Sequence, residues 1–329
     1  MEKILALFDQ DPLYLNRFAR YIESRRQFPF TVYSFKDIDS LRRFADRREI
    51  DLLLAGQNDC ADALQQIPAG ELVFLSEQYS ADEAVSGRCI YKYQSGDSII
   101  RELMGMYGDM PDYAPSPSRV RGHLYLVFSP IGRSGKTRFA QRLAKELSRE
   151  TRTLCVTMEE IPLSFRKQTH RATLTEALYY FKQGNLNAMK LQSLLYDADG
   201  LCYLAGMRNP EDISALSAQE LTDFTDTLLS CGFRAVVIDT DSILSRFSLM
   251  FSAAERVFIP VTEDAGGIRK LESLDQYLSL SFAEPVLTER FIRLRVPACN
   301  EETDFQKDPV LGDFVRTVIR NYIYGESEI

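Results

Sequence analysis

The residues best suited to chemistry are Gly132-Arg133-Ser134-Gly135-Lys136-Thr137, a glycine-rich run that ends in a lysine and a hydroxyl. A polyphosphate needs many donors close together and little steric bulk around them. Glycines let the backbone turn its N–H groups inward, and a following helix offers its positive dipole end to the same anion. In such a loop Gly132, Arg133, Ser134 and Gly135 form the cradle, Lys136 reaches the β- and γ-phosphates, and the Thr137 hydroxyl ligates Mg²⁺. Pro130 stands where the full pattern has a small residue. The alternative is a vestigial loop that only packs.

A site of this kind also needs a carboxylate at a neighbouring strand end, to hold Mg²⁺ through water. Ala235-Val236-Val237-Ile238-Asp239 supplies one after four apolar residues, although Asp239 could instead cap the next helix. Asp241 is a second candidate catalytic residue, placed to position metal or water. Glu159 and Glu160 follow the apolar run Leu154–Met158 and either face the γ-phosphate side or are solvated surface.

The elements around these residues read as two α/β domains. In the first, Ile4–Phe8, Phe30–Phe35, Asp51–Ala55, Leu72–Leu75 and Cys89–Tyr91 are strand-like, with amphipathic stretches between them and a closing helix from Asp97 to about Tyr107. Repeated βα units of this size imply a doubly wound parallel sheet. Residues 109–121 carry three prolines in a polar stretch and read as a linker, with the boundary near residue 115. The second domain, 122–329, opens with the strand His123–Phe128 running into the loop. A helix with Ala140, Leu143, Ala144 and Leu147 on one face follows it. Further strands are expected at Leu154–Met158, Leu201–Leu204, Ala235–Ile238, Val257–Val261 and Phe291–Val296, and helices near 172–182, 217–230, 266–279 and 309–323. Ser217 and Glu220 form a capping-box pattern at the start of one of these helices.

Composition narrows the function classes. The formal net charge of -8 argues against a broad nucleic-acid surface, which relies on clustered Lys and Arg. The six cysteines lack a short Cys-x-x-Cys spacing and read as reduced, mostly buried side chains. Only two histidines are present, so a His-based metal site or triad is not expected. No apolar run approaches the roughly 18–20 residues that span a bilayer, and no signal peptide is evident at the start, so a cytoplasmic protein is expected.

Ser129–Thr137, together with Met158-Glu159-Glu160, resembles the MinD/ParA-type ATPases and more narrowly the TadZ/CpaE proteins of Flp (Tad) pilus assembly. Gly200–Gly206, Asn209-Pro210-Glu211-Asp212, Phe233–Asp239, Val261-Thr262 and Val296-Pro297 extend the resemblance over nearly all of 122–329. The resemblance implies ATP and Mg²⁺ as ligands, an adenine pocket in the loop at Pro297, and a homodimer with nucleotide. It also implies a spatial organiser of pilus or secretion machinery, recruited to the cell pole or the inner face of the membrane. Ile131 stands at the place of the family's signature lysine, Arg133 replaces a usual second glycine, and Asp239-Thr240-Asp241 replaces Asp-x-Pro. Binding is therefore better supported than hydrolysis, and turnover is expected to be slow or absent. A DNA-partition ATPase and a purely structural interaction protein are the alternatives. A membrane-sliding role would need the apolar face of Leu311, Phe314, Val315, Val318, Ile319 and Tyr322, for which packing against the domain is the expected use.

Residues 1–108 resemble the degenerate receiver domain that precedes the ATPase domain in those proteins. Asp9-Gln10 and Asp11 stand for the acidic pair, and Ser76 and Lys92 persist. The third strand, however, ends Leu54-Ala55-Gly56, without an aspartate to accept phosphate. A docking or dimerisation module is expected.

Overall fold

The computed structural model describes residues 3–23, 28–56, 61–77, 88–108, 122–159, 173–198, 200–204, 206–207, 209, 211–241, 244–283, 289–298 and 308–325. The chain divides into two compact units, Met1–Tyr113 and Ala114–Ile329. The linker expected at 109–121 lies outside the described residues.

The first unit is a parallel sheet of β1 (Lys3–Phe8), β2 (Phe30–Phe35), β3 (Ile50–Gly56), β4 (Ala69–Ser76) and β5 (Arg88–Tyr91), in the order β2-β1-β3-β4-β5. Helices α1 (Pro12–Glu23), α2 (Ile38–Ala45), α3 (Ala61–Gln65) and α4 (Gly96–Gly108) connect the strands or follow them. Ile4 through Phe8 are all buried, the mark of a central parallel strand covered on both faces. On one face Ala6, Phe8, Leu53, Ala55 and Phe74 pack with Leu41 of α2 and Leu64 of α3. Asp37 caps α2 by accepting the Ser40 N–H at 2.8 Å.

The second unit is a seven-stranded sheet in the order β12-β11-β6-β10-β7-β9-β8. Its strands are β6 (His123–Val127), β7 (Thr153–Met158), β8 (Tyr196–Ala198), β9 (Leu201–Leu204), β10 (Ala235–Thr240), β11 (Arg256–Pro260) and β12 (Phe291–Leu294). All pairings are parallel except β8 with β9. The helices are α5 (Lys136–Leu147), α6 (Thr173–Lys182), α7 (Ala188–Leu194), α8 (Glu211–Ser214), α9 (Ala218–Ser230), α10 (Leu244–Ala253), α11 (Ala265–Ser281) and α12 (Pro309–Tyr322).

Both sheets are the expected mixed α/β architecture with parallel strands. The capping box at Ser217 and Glu220 is present in both directions. The stripe on α12 is consumed internally: Leu311, Val315, Val318 and Ile319 are buried in one cluster with Phe139, Leu143 and Leu147 of α5. Tyr322, by contrast, is 37% exposed. No described helix is long and apolar enough to cross a membrane. Sequence periodicity did not mark α7, β8, α8 and α10.

Candidate functional site

The loop leaves β6 at the centre of the second sheet, between β11 and β10. Ser129 fixes its start: its buried hydroxyl donates to the Pro260 carbonyl at 2.7 Å and accepts the Ile131 N–H at 3.1 Å. Two loop residues then take left-handed backbone, Arg133 at φ 59 and Gly135 at φ 86. Gly135 is required twice, because a Cβ there would also lie 3.1 Å from Val296 Cγ1. Gly132 differs from the expectation. It has no positive φ, and a Cβ on it would meet nothing within 4 Å. The left-handed turn early in the loop therefore belongs to Arg133, at a cost of about 1–2 kcal/mol for a residue with a Cβ.

Gly135 is the N-cap of α5, and no side chain caps that helix, so its first N–H groups face the loop without a side-chain acceptor. Lys136 and Thr137, the first two helical residues, are both buried. The Lys136 ammonium donates to the Thr240 carbonyl at 2.5 Å and to Asp239 Oδ1 at 3.4 Å, and it pairs with Glu159 Oε1. Thr137 Oγ1 donates to Glu159 Oε2 at 3.3 Å. Parallel register places Asp239 between Val127 of β6 and Thr157 of β7, on the face that α5 covers. Its side chain is not a helix cap, since Oδ1 receives Lys136 and Oδ2 is buried without a hydrogen-bond partner.

Sequence reasoning left Glu159 open between site and surface, and the structure brings it to the site. Glu160 lies outside the described residues. Asp241 is half-buried just beyond β10. Ile131 is buried and Arg133 is exposed, so the residue at the signature-lysine position packs inward while the loop's arginine points outward. The Pro297 carbonyl accepts Arg138 Nη2 at 2.6 Å, which ties the loop after β12 to the first turn of α5. No sequence signal marks that contact, across 159 positions.

Burial pushes the Asp239 carboxyl up to about 7, against the pull of Lys136 and with a smaller push from Glu159. A carboxyl raised by folding keeps its proton while the unfolded chain's ionises, so it removes stability as pH rises from about 4 to about 7. Asp239→Asn is expected to flatten that fall, measured as urea midpoint against pH for both proteins. A mutant curve parallel to wild type would show that Asp239 does not titrate in this window.

The first unit presents its own strand-end cluster. Asp9 follows β1, Gly56 ends β3, Ser76 ends β4 and Lys92 follows β5, all at the carboxyl ends of parallel strands. Lys92 Nζ lies 2.9 Å from Asp9 Oδ2, with side-chain exposures of 8% and 5%. Asp9 Oδ1 accepts the Asp11 N–H at 2.8 Å, and Lys92 sits 4.7 Å from the Tyr14 ring centre. Burial lowers the Lys92 pKa, but the hydrogen bond and charge of Asp9 outweigh it, so the net shift is upward. A Cβ on Gly56 would approach Asp9 Oδ2 to 2.8 Å, so the Asp9 carboxylate occupies the space that a side chain at this position would need. Gly56 offers no carboxylate, and Lys92 pairs with Asp9 and lies 3.6 Å from Glu77 Oε1.

Residues 1–108 match the family described as "TadZ-like, receiver domain". No curated protein matches the chain. Among solved structures it is similar to a ParA family ATPase from Chlorobium tepidum TLS, at 16% identity and TM-score 0.46, over 58% of this chain and 81% of that one. It is also similar to a putative plasmid partition protein from Borrelia burgdorferi B31 bound to AMPPNP (15% identity, TM-score 0.40, 60% of this chain and 99% of that one). The cell division ATPase MinD of Pyrococcus furiosus is similar at 16% identity and TM-score 0.39, over 60% and 80% of the two chains. The family match thus identifies residues 1–108 as similar to a TadZ-like receiver domain and does not extend to the second unit.

Proposed function

We propose that the second unit binds ATP with Mg²⁺ at Gly132–Thr137, and that the bound chain dimerises to organise a Flp/Tad-type pilus or secretion assembly at its cellular site. The observation that carries the nucleotide reading is a group of buried polar atoms without partners. Ser134 Oγ, Arg138 Nε, Gln141 Oε1, Thr157 Oγ1 and Asp239 Oδ2 all lie on the loop, on α5 or on the adjacent strands β10 and β7. Each such atom costs about 1–3 kcal/mol when nothing pairs with it. Their concentration around an uncapped helix start fits a ligand rich in oxygen.

Thr137 Oγ1 and Asp239 Oδ2 are the oxygens that would hold Mg²⁺, the second through water. Among the described residues no group of three or more His, Cys, Asp or Glu could cage a metal by itself. That composition suits a cation which arrives with phosphate oxygens. When bound, Mg²⁺ neutralises charge on the β- and γ-phosphates. The chain's own residues do the rest: main-chain donors and Lys136 bind, Gly135 permits close approach, and the Pro297 loop borders the base. Slow turnover fits the same site, because Ile131 is neutral and buried and leaves Lys136 as the loop's only inward cation. The organising role rests on the TadZ-like front domain, whose Asp9–Lys92 pair and Gly56 suit docking rather than phosphorylation.

Calorimetric titration with ATP, ADP and GTP, each with and without Mg²⁺, tests the reading. Saturable one-site binding of adenine nucleotides, tighter with Mg²⁺, is expected. Absence of binding by all three would leave the loop as packing only.

A further inference from the structure

The side chains assigned to phosphate and metal are both held by one carboxylate. Glu159 directs one oxygen to Lys136 Nζ and the other to Thr137 Oγ1, at 3.3 Å for the second. A polyphosphate needs the same ammonium and the same hydroxyl. It also brings negative charge into a largely buried site, where screening is weak and like charges repel strongly. Glu159 and nucleotide therefore compete.

The two acids at Lys136 are not equivalent. Asp239 is fully buried within β10, so its side chain is held in place by the packing around it. Glu159 stands one residue past β7 with its side chain 21% exposed. A carboxylate at that boundary can be rehydrated when it leaves Lys136, whereas Asp239 cannot. Of the two, Glu159 is the one a ligand can displace.

We propose that Glu159 is an autoinhibitory latch on the nucleotide site: it occupies Lys136 and Thr137 and must withdraw before phosphates can take them. The inference rests on the nucleotide reading above and adds its regulation. The latch weakens binding of every nucleotide, most of all without Mg²⁺, when no cation offsets the carboxylate beside the phosphates. A Glu159 that served the bound state instead would be needed for tight binding, so the two roles have opposite signs.

The test is calorimetric titration of the full chain with ADP in EDTA and with ADP and Mg²⁺, for wild type, Glu159→Gln and Glu159→Asp. Glutamine keeps the shape and removes the charge. Aspartate is one methylene shorter and cannot reach both partners. Glu159→Gln is expected to bind ADP in EDTA about tenfold more tightly than wild type, since a charge-assisted contact has been removed from the competitor. Glu159→Asp is expected to fall between them, and the affinity ratio between the Mg²⁺ and EDTA conditions is expected to shrink in both variants. Unchanged or weaker ADP binding by folded Glu159→Gln, with wild type binding normally, overturns the latch and leaves the nucleotide site standing. Failure of wild type and both variants to bind in either condition overturns the nucleotide reading itself, and the latch with it.

Discussion

Replacing Lys136 with alanine is expected to lower nucleotide affinity at least about 100-fold. A charge-assisted contact to phosphate contributes about 1.5–3 kcal/mol, which alone is about tenfold to 150-fold. The lysine does more here, because it is the only cation bonded to Asp239 and Glu159 among the described residues. Without it, phosphates would enter beside two carboxyls with no compensating charge. The mutant fold is expected to survive, since Asp239 already has a raised pKa and can take a proton. Calorimetry with ATP and Mg²⁺ reads the affinity, and circular dichroism checks the fold. A folded mutant within threefold of wild-type affinity would mean that main-chain donors suffice or that the nucleotide sits elsewhere.

The second large effect is expected in the front domain, on stability alone. Lys92→Met removes the cation from a pair in which both side chains are more than nine-tenths buried. Breaking such a pair from one side costs about 3–5 kcal/mol, because the remaining charge has lost its partner without regaining water. Methionine fills much of the volume, so the loss measures charge rather than a cavity. Joined with Asp9→Asn, the same change is expected to recover most of the stability. Amide hydrogen exchange of β1 and β3 in the intact chain reads the local cost without requiring the two units to unfold together. Similar protection in wild type and Lys92→Met would show that water reaches Asp9 and that the pair is not structural.

The sequence alone was enough for whatever depends on near neighbours. Gly135-Lys136-Thr137 after an apolar run and before an amphipathic helix marks the loop, because strand, turn and helix are each written in local spacing. Asp239 was legible for the same reason, as the charge that ends a fully apolar strand. That Gly56 brings no carboxylate to its strand end needed only residue identity. Elements without one clean face were not legible. In α10, Met250 and Phe251 are buried while the adjacent Leu249 is 46% exposed, so these three consecutive apolar residues do not share one buried face. The short β8 exists as a strand only through its antiparallel partner β9, as a three-residue edge.

Only the tertiary structure decided which charges meet. Lys136 and Glu159 are 23 positions apart and Lys136 and Asp239 are 103 apart, and strand order brings both acids to one ammonium. The same order places Asp9 in the space beside Gly56 and joins it to Lys92, which gives the front domain a buried ion pair at the carboxyl ends of its strands. The backbone of Arg133 belongs here too: left-handed conformation is expected at glycine, and the closing geometry of the loop imposed it on arginine instead. Periodicity records which face of an element is buried, but it carries no term for what lies across the sheet. Contacts between distant strand ends follow from topology, and topology is set when all the apolar faces are buried at once.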